Sequence, residues 1–119
     1  MSASEVIAAA ERVTRRFRAK TLYAGGARTS VYLVLLHDAR RGGRWGLYVG
    51  QTARDPDERF DQHKAGYKAS GAVRRFGVQL LPSLVSHLNP MSGWEAVEVE
   101  AALADALRQA GIGWIEGGH

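Results

Sequence analysis

The sequence predicts an α+β fold: a small three-stranded antiparallel sheet flanked by helices, with an extra helix at the N-terminus. Three observations predict it. SVYLVLLH, residues 30–37, is an almost unbroken β-branched and aliphatic run, the pattern of a strand covered on both faces. The Gly42-Gly43 pair, followed by Leu47-Tyr48-Val49, predicts a turn and a second strand antiparallel to the first. Helix-start signals recur before and after this hairpin and give the order β-β-α-α-β-α behind an N-terminal helix. A chain of 119 residues has room for one core, so residues 1–119 are read as a single domain. Within it, residues 1–24 form a helical extension and residues 28–119 the main body.

Taken in order, Val6, Ile7, Ala10, Val13 and Phe17 recur at helical spacing over residues 3–20, and Ser2 with Glu5 makes a capping box. The far end of this helix carries Arg15, Arg16, Arg18 and Lys20. Such a cluster suits either phosphate contacts or the partial negative charge of a helix C-terminus. After the hairpin, Asp55 is a cap, Pro56 the first helical residue and Glu58 the third residue after the cap, which opens a short helix running to about Gly66. A second short helix over 72–76 follows Ser70, and a third strand over 78–81 ends at Pro82. Residues 83–90 have no clear periodicity. Ser92, three residues before Glu95, opens the longest late helix, 93–110, which Gly111 ends. The tail IGWIEGGH reads equally as a brief strand or a loop.

Composition narrows the functional classes. The absence of cysteine excludes disulfides, thiolate metal sites and a thiol nucleophile. A formal charge of +4 suits a polyanionic partner. Glu5 and Glu11 interrupt the N-terminal apolar residues, unlike a secretory or transit signal. No apolar run approaches the ~20 residues of a membrane span. The expectation is a soluble, cytoplasmic protein with no membrane partner.

Three constellations carry potential chemistry. Glu100 falls in the apolar stripe of the late helix, among Ala96, Val97, Leu103, Ala104 and Leu107, while Glu95, Glu98 and Asp105 fall outside its centre and can be solvated. A buried carboxylate needs an ion pair, for example with Arg59, or hydrogen bonds, or a metal. Arg59 and His63 are one helical turn apart and share a face, either as a phosphate claw or as ordinary surface residues. Tyr32 lies on the first strand and Tyr48 on the second, between Gly46 and Gly50, which leaves open space over the Tyr48 ring. Both rings also suit a simple core role.

In combination and order, Ser30-Val31-Tyr32, Tyr48-Val49-Gly50, Arg59 with His63, and Glu100 resemble the GIY-YIG nuclease superfamily over about residues 30–118. Ser30 stands in place of the first glycine of that pattern, and Gln51 where the excision-repair members have lysine. The resemblance implies a metal-dependent endonuclease that hydrolyses DNA phosphodiester bonds with one Mg²⁺ or Mn²⁺. It implies that Glu100 holds the metal, that Tyr32 or Tyr48 deprotonates water, and that Arg59 and His63 act at the phosphate. Arg44, Gln51, Lys64, Lys68, Arg74 and Arg75 then contact nucleic acid, with Arg40, Arg41 and Tyr67 beside them. The alternative is a non-catalytic nucleic-acid-binding module that keeps the fold. The other histidines, His37, His87 and His119, lack ligand spacing and read as surface or loop residues. The family usually carries a separate specificity domain, so the implied partners extend to a second copy of the chain or a specificity protein.

Overall fold

The computed structural model describes residues 1–40, 42–66 and 70–118. The apolar run at its centre is strand β1, Ser30–Asp38. It pairs antiparallel with β2, Arg44–Thr52, in a continuous register from Ser30 opposite Thr52 to Asp38 opposite Arg44. Further along, β3, Gly77–Leu80, pairs antiparallel with the other edge of β1. The sheet has a fourth strand that the sequence reading left open: β4, Ile115–Gly117, lies parallel to β2 and gives the order β3-β1-β2-β4. The sheet is therefore mixed and four-stranded, not three-stranded and antiparallel. Three residues flanked by glycine carry too little alternation to announce a strand.

Alternation along β1 sorts its side chains into two cores. Val31, Leu33 and Leu35 join the larger core with helix α1, Ala3–Thr14, and helix α4, Gly93–Gln109. Tyr32, Val34 and Leu36 join a smaller one with Val73 and Trp114. That second face is covered by α2, Pro56–Ala65, and α3, Gly71–Phe76. Covering both faces explains why every side chain from Val31 to Leu36 is buried.

The N-terminal helix is shorter than residues 3–20. The capping box forms as its sequence requires, but after Thr14 the backbone tightens into bonds from Arg16 to Val13 and from Phe17 to Thr14. The chain is then drawn away, because the backbone N–H groups of Lys20 and Thr21 donate to the Glu95 carboxylate on α4. A tertiary anchor overrides a local helical pattern here.

Residues 83–90 are part of a segment that forms two 3₁₀ turns, Pro82–Leu84 and Ser86–Leu88. Beyond them, the Asn89 carboxamide accepts from the Val31 N–H and donates to the Val31 carbonyl. A single side chain thus satisfies the edge of β1 where β3 no longer reaches it.

Candidate active site

Tyr32 and Tyr48 lie on the α2 face of the sheet, because Tyr32 pairs with Gly50 and Tyr48 with Val34. The space expected over Tyr48 is filled. A Cβ on Gly50 would come within 2.6 Å of the Tyr32 ring and 2.7 Å of the Tyr48 ring, and one on Gly46 would strike Trp114. The two glycines let aromatic rings lie flat on the sheet, and Tyr48 remains half-buried.

Helix α2 brings His63 to these rings. Its cap is the predicted one, with the Asp55 side chain accepting from the Asp57 N–H, Pro56 in the first turn and Gly66 closing the far end at φ 89°. His63 is 2 % exposed, so it is a core residue and not a surface one. Its Nε2 lies 2.9 Å from the Tyr32 hydroxyl, and its Nδ1 accepts the Ser70 backbone N–H at 2.9 Å. Acceptance at Nδ1 places the proton of the neutral ring on Nε2, which then donates to Tyr32. The Tyr48 ring packs edge-on to the imidazole with centroids 5.7 Å apart.

Burial, then the neighbouring Tyr48, push the Tyr32 hydroxyl far above the ordinary phenol value, and its hydrogen bond to Tyr48 raises it further. The same bond lowers Tyr48, as does one with the Ser70 side chain, although burial leaves Tyr48 raised overall. The Tyr32 and Tyr48 rings lie with centroids 6.0 Å apart. Burial and then the Arg59 charge bring His63 down to about 4.

Arg59, four residues before His63, exerts its positive charge on both tyrosines and on His63. Its guanidinium also donates to Gln62 at 3.1 Å. Glu100 arrives from the opposite layer on α4 and is 6 % exposed. Gln51 donates to one of its oxygens at 2.9 Å and the Gly118 N–H to the other at 3.3 Å. Its negative charge reaches Tyr32 and Tyr48. Strand β4 pairs with β2 only from Leu47 to Val49, so among the described residues the edge of β2 away from β1 has no strand partner beyond Val49, where Gln51 reaches Glu100.

The remaining predicted contacts divide. Gln51 orients Glu100. Lys64 donates to the carbonyls of Arg74 and Gly77 at the end of α3, and the Arg74 guanidinium lies against Gly66. Arg44 stacks over Trp114, and Arg75 over Phe76. Lys68, Tyr67, Arg41 and His119 lie outside the described residues. His37, expected at the surface, stacks on Trp45 with ring centroids 3.9 Å apart. His87 is exposed, with Nε2 2.9 Å from the Thr14 carbonyl. The contacts of Ser70 with His63 and of Gly118 with Glu100 were not legible, since both are made by backbone N–H groups.

Among the described residues no group of three or more His, Cys, Asp or Glu is placed to hold a metal, and no helix is long and apolar enough to cross a membrane. The chain matches no family model, no curated protein and no solved structure.

Proposed function

We propose that the protein is a divalent-metal-dependent endonuclease of the GIY-YIG type, hydrolysing phosphodiester bonds of DNA. The observation that carries this reading is the cluster of His63, Tyr32 and Tyr48, with His63 bonded to Tyr32 and both packed against Tyr48, under the charge of Arg59 and beside a fixed carboxylate. Tyr48 is the general base: it is the more exposed phenol, and the Tyr32 hydroxyl is already engaged by His63. Tyr32 and His63 hold the Tyr48 ring in place as its oxygen gains charge. Arg59 offsets the charge that builds on the phosphate oxygens.

The Glu100 oxygens fit a hard cation that keeps most of its water, since Mg²⁺ or Mn²⁺ bound in this way needs one or two protein carboxylates. They do not make a closed multi-ligand cage. A cation held there by Glu100 would supply electrostatic stabilisation to the leaving 3′ oxygen. That no group of three or more metal-ligating side chains is found among the described residues also favours the second reading, a module that binds nucleic acid without cutting it.

Cleavage of supercoiled plasmid with Mg²⁺, with Mn²⁺ and with chelator separates the two. Wild type nicks the plasmid in either metal and not in chelator, and Glu100→Ala lowers the rate at least ~100-fold, the scale of a group acting at the transition state. Metal-independent binding with no cutting by wild type would replace the enzyme with the binding module.

A further inference from the structure

The face of β2 that carries Tyr48 continues to an arginine–aromatic surface at the hairpin end of the sheet. Arg44, Gly46, Tyr48 and Gly50 share that face by alternation. Trp114 lies against Gly46, and the Arg44 guanidinium sits 4.3 Å above the Trp114 ring. Phe76 meets Trp114 edge-on with centroids 5.3 Å apart, and the Arg75 guanidinium lies 5.3 Å over Phe76. Arg40 also lies 5.7 Å over Phe76, so three arginines, of which Arg40 is paired with Asp38, are held on two mutually packed rings.

Of the acidic groups nearby, Asp38 lies opposite Arg44 across the hairpin, and its carboxyl is held low first by its bonds with Arg40 and also by the Arg44 charge. Asp38 takes a two-pronged pair of bonds from Arg40, and Glu116 accepts from the Trp114 indole. Among the described residues neither Arg44 nor Arg75 is in an ion pair, and both are exposed. Stacking fixes a guanidinium plane while leaving its N–H donors free at the edge, an arrangement matched to phosphate oxygens.

We propose that Arg44 and Arg75, stacked on Trp114 and Phe76, form a phosphate clamp that holds the DNA backbone on the hairpin side of the Tyr48 centre. This rests on the nuclease reading of that centre. Four residues of extended strand separate Arg44 from Tyr48, a reach of about 14 Å, or roughly four base-pair rises. The clamp therefore fixes the path of the duplex without reading its sequence.

The test is fluorescence anisotropy of a labelled duplex in chelator, followed over increasing salt for wild type, Arg44→Ala, Arg75→Ala, the double variant and Arg44→Lys. Each alanine lowers the slope of log K against log salt by about 0.9, and the double variant by about twice that. Arg44→Lys keeps the slope but binds more weakly, because it keeps the charge and loses the stacked plane. Wild-type binding that the alanine variants leave unchanged, or weaken without altering the slope, overturns the clamp and leaves the nuclease reading standing. Failure of wild type to bind the duplex at any salt overturns that reading, and the clamp falls with it.

Discussion

His63 shows how a single side chain joins stability to the site. The Ser70 N–H directed at Nδ1 excludes a proton there, so protonation costs a buried hydrogen bond as well as a desolvated charge beside Arg59. The folded protein holds this ring at about 4, against an ordinary value of 6.5. Between those values the unfolded chain binds a proton that the folded one does not. The stability contributed by His63 is fully present above about 6.5 and is lost as the pH falls toward 4, at up to about 1.4 kcal/mol per pH unit. Urea unfolding across this window reads the slope directly, and His63→Gln removes this contribution to it; equal slopes for the two proteins would mean that His63 is not held neutral. The i, i+4 spacing of Arg59 and His63 made their shared helix face legible in the sequence. The tautomer of His63 was not, because Ser70 reaches its Nδ1 through a backbone group that any residue type possesses.

At the scale of an element, α4 carries two buried carboxylates with different tasks. Half of its capping box forms: the Glu95 N–H donates to the Ser92 side chain at 3.3 Å. The Glu95 side chain, however, does not turn back to the Ser92 N–H, which the Thr21 hydroxyl occupies instead. Glu95 accepts from the backbone of Lys20 and Thr21 and from the Thr21 hydroxyl. Burial raises its carboxyl, but those bonds outweigh it and hold the group below the ordinary value. Glu95 is therefore 4 % exposed, whereas Val97, expected within the apolar stripe, is 49 % exposed. Helical periodicity located the helix and placed Glu100 correctly on its buried side. It could not locate the partners that rotate the stripe, since they lie more than 70 residues away in sequence. Glu95→Ala leaves backbone donors without their acceptor and should cost about 2–3 kcal/mol in chemical denaturation, against about 0.5 kcal/mol or less for the exposed Glu98→Ala. Equal costs would show that the link between α1 and α4 does not depend on this carboxylate.

For the molecule as a whole, the last strand joins the fold to the site. The first three strands, the order of the helices and the packing on both faces of β1 were legible, because they rest on long apolar runs and capping residues. Strand β4 was legible only as one of two readings of the tail, yet it closes the β2 edge and delivers Gly118, whose N–H lies 3.1 Å from the Val49 carbonyl and 3.3 Å from Glu100. Gly118 has φ 84°, and a Cβ there would lie 2.4 Å from the Ala104 Cβ. A glycine elsewhere separates backbone strain from this crowding: Gly111 has φ 92° with no atom within 4 Å of its Cβ position. Gly111→Ala should therefore cost about 1 kcal/mol through its backbone alone and retain plasmid nicking. Gly118→Ala adds a collision between β4 and α4, with a further cost of about 1–3 kcal/mol. It also shifts the donor that steadies Glu100, so its nicking rate should fall even at a temperature where the variant is fully folded. Urea unfolding and nicking, measured together on the two variants, distinguish these effects. If both variants nick at the wild-type rate when folded, Gly118 serves the sheet alone and Gln51 suffices to hold the carboxylate.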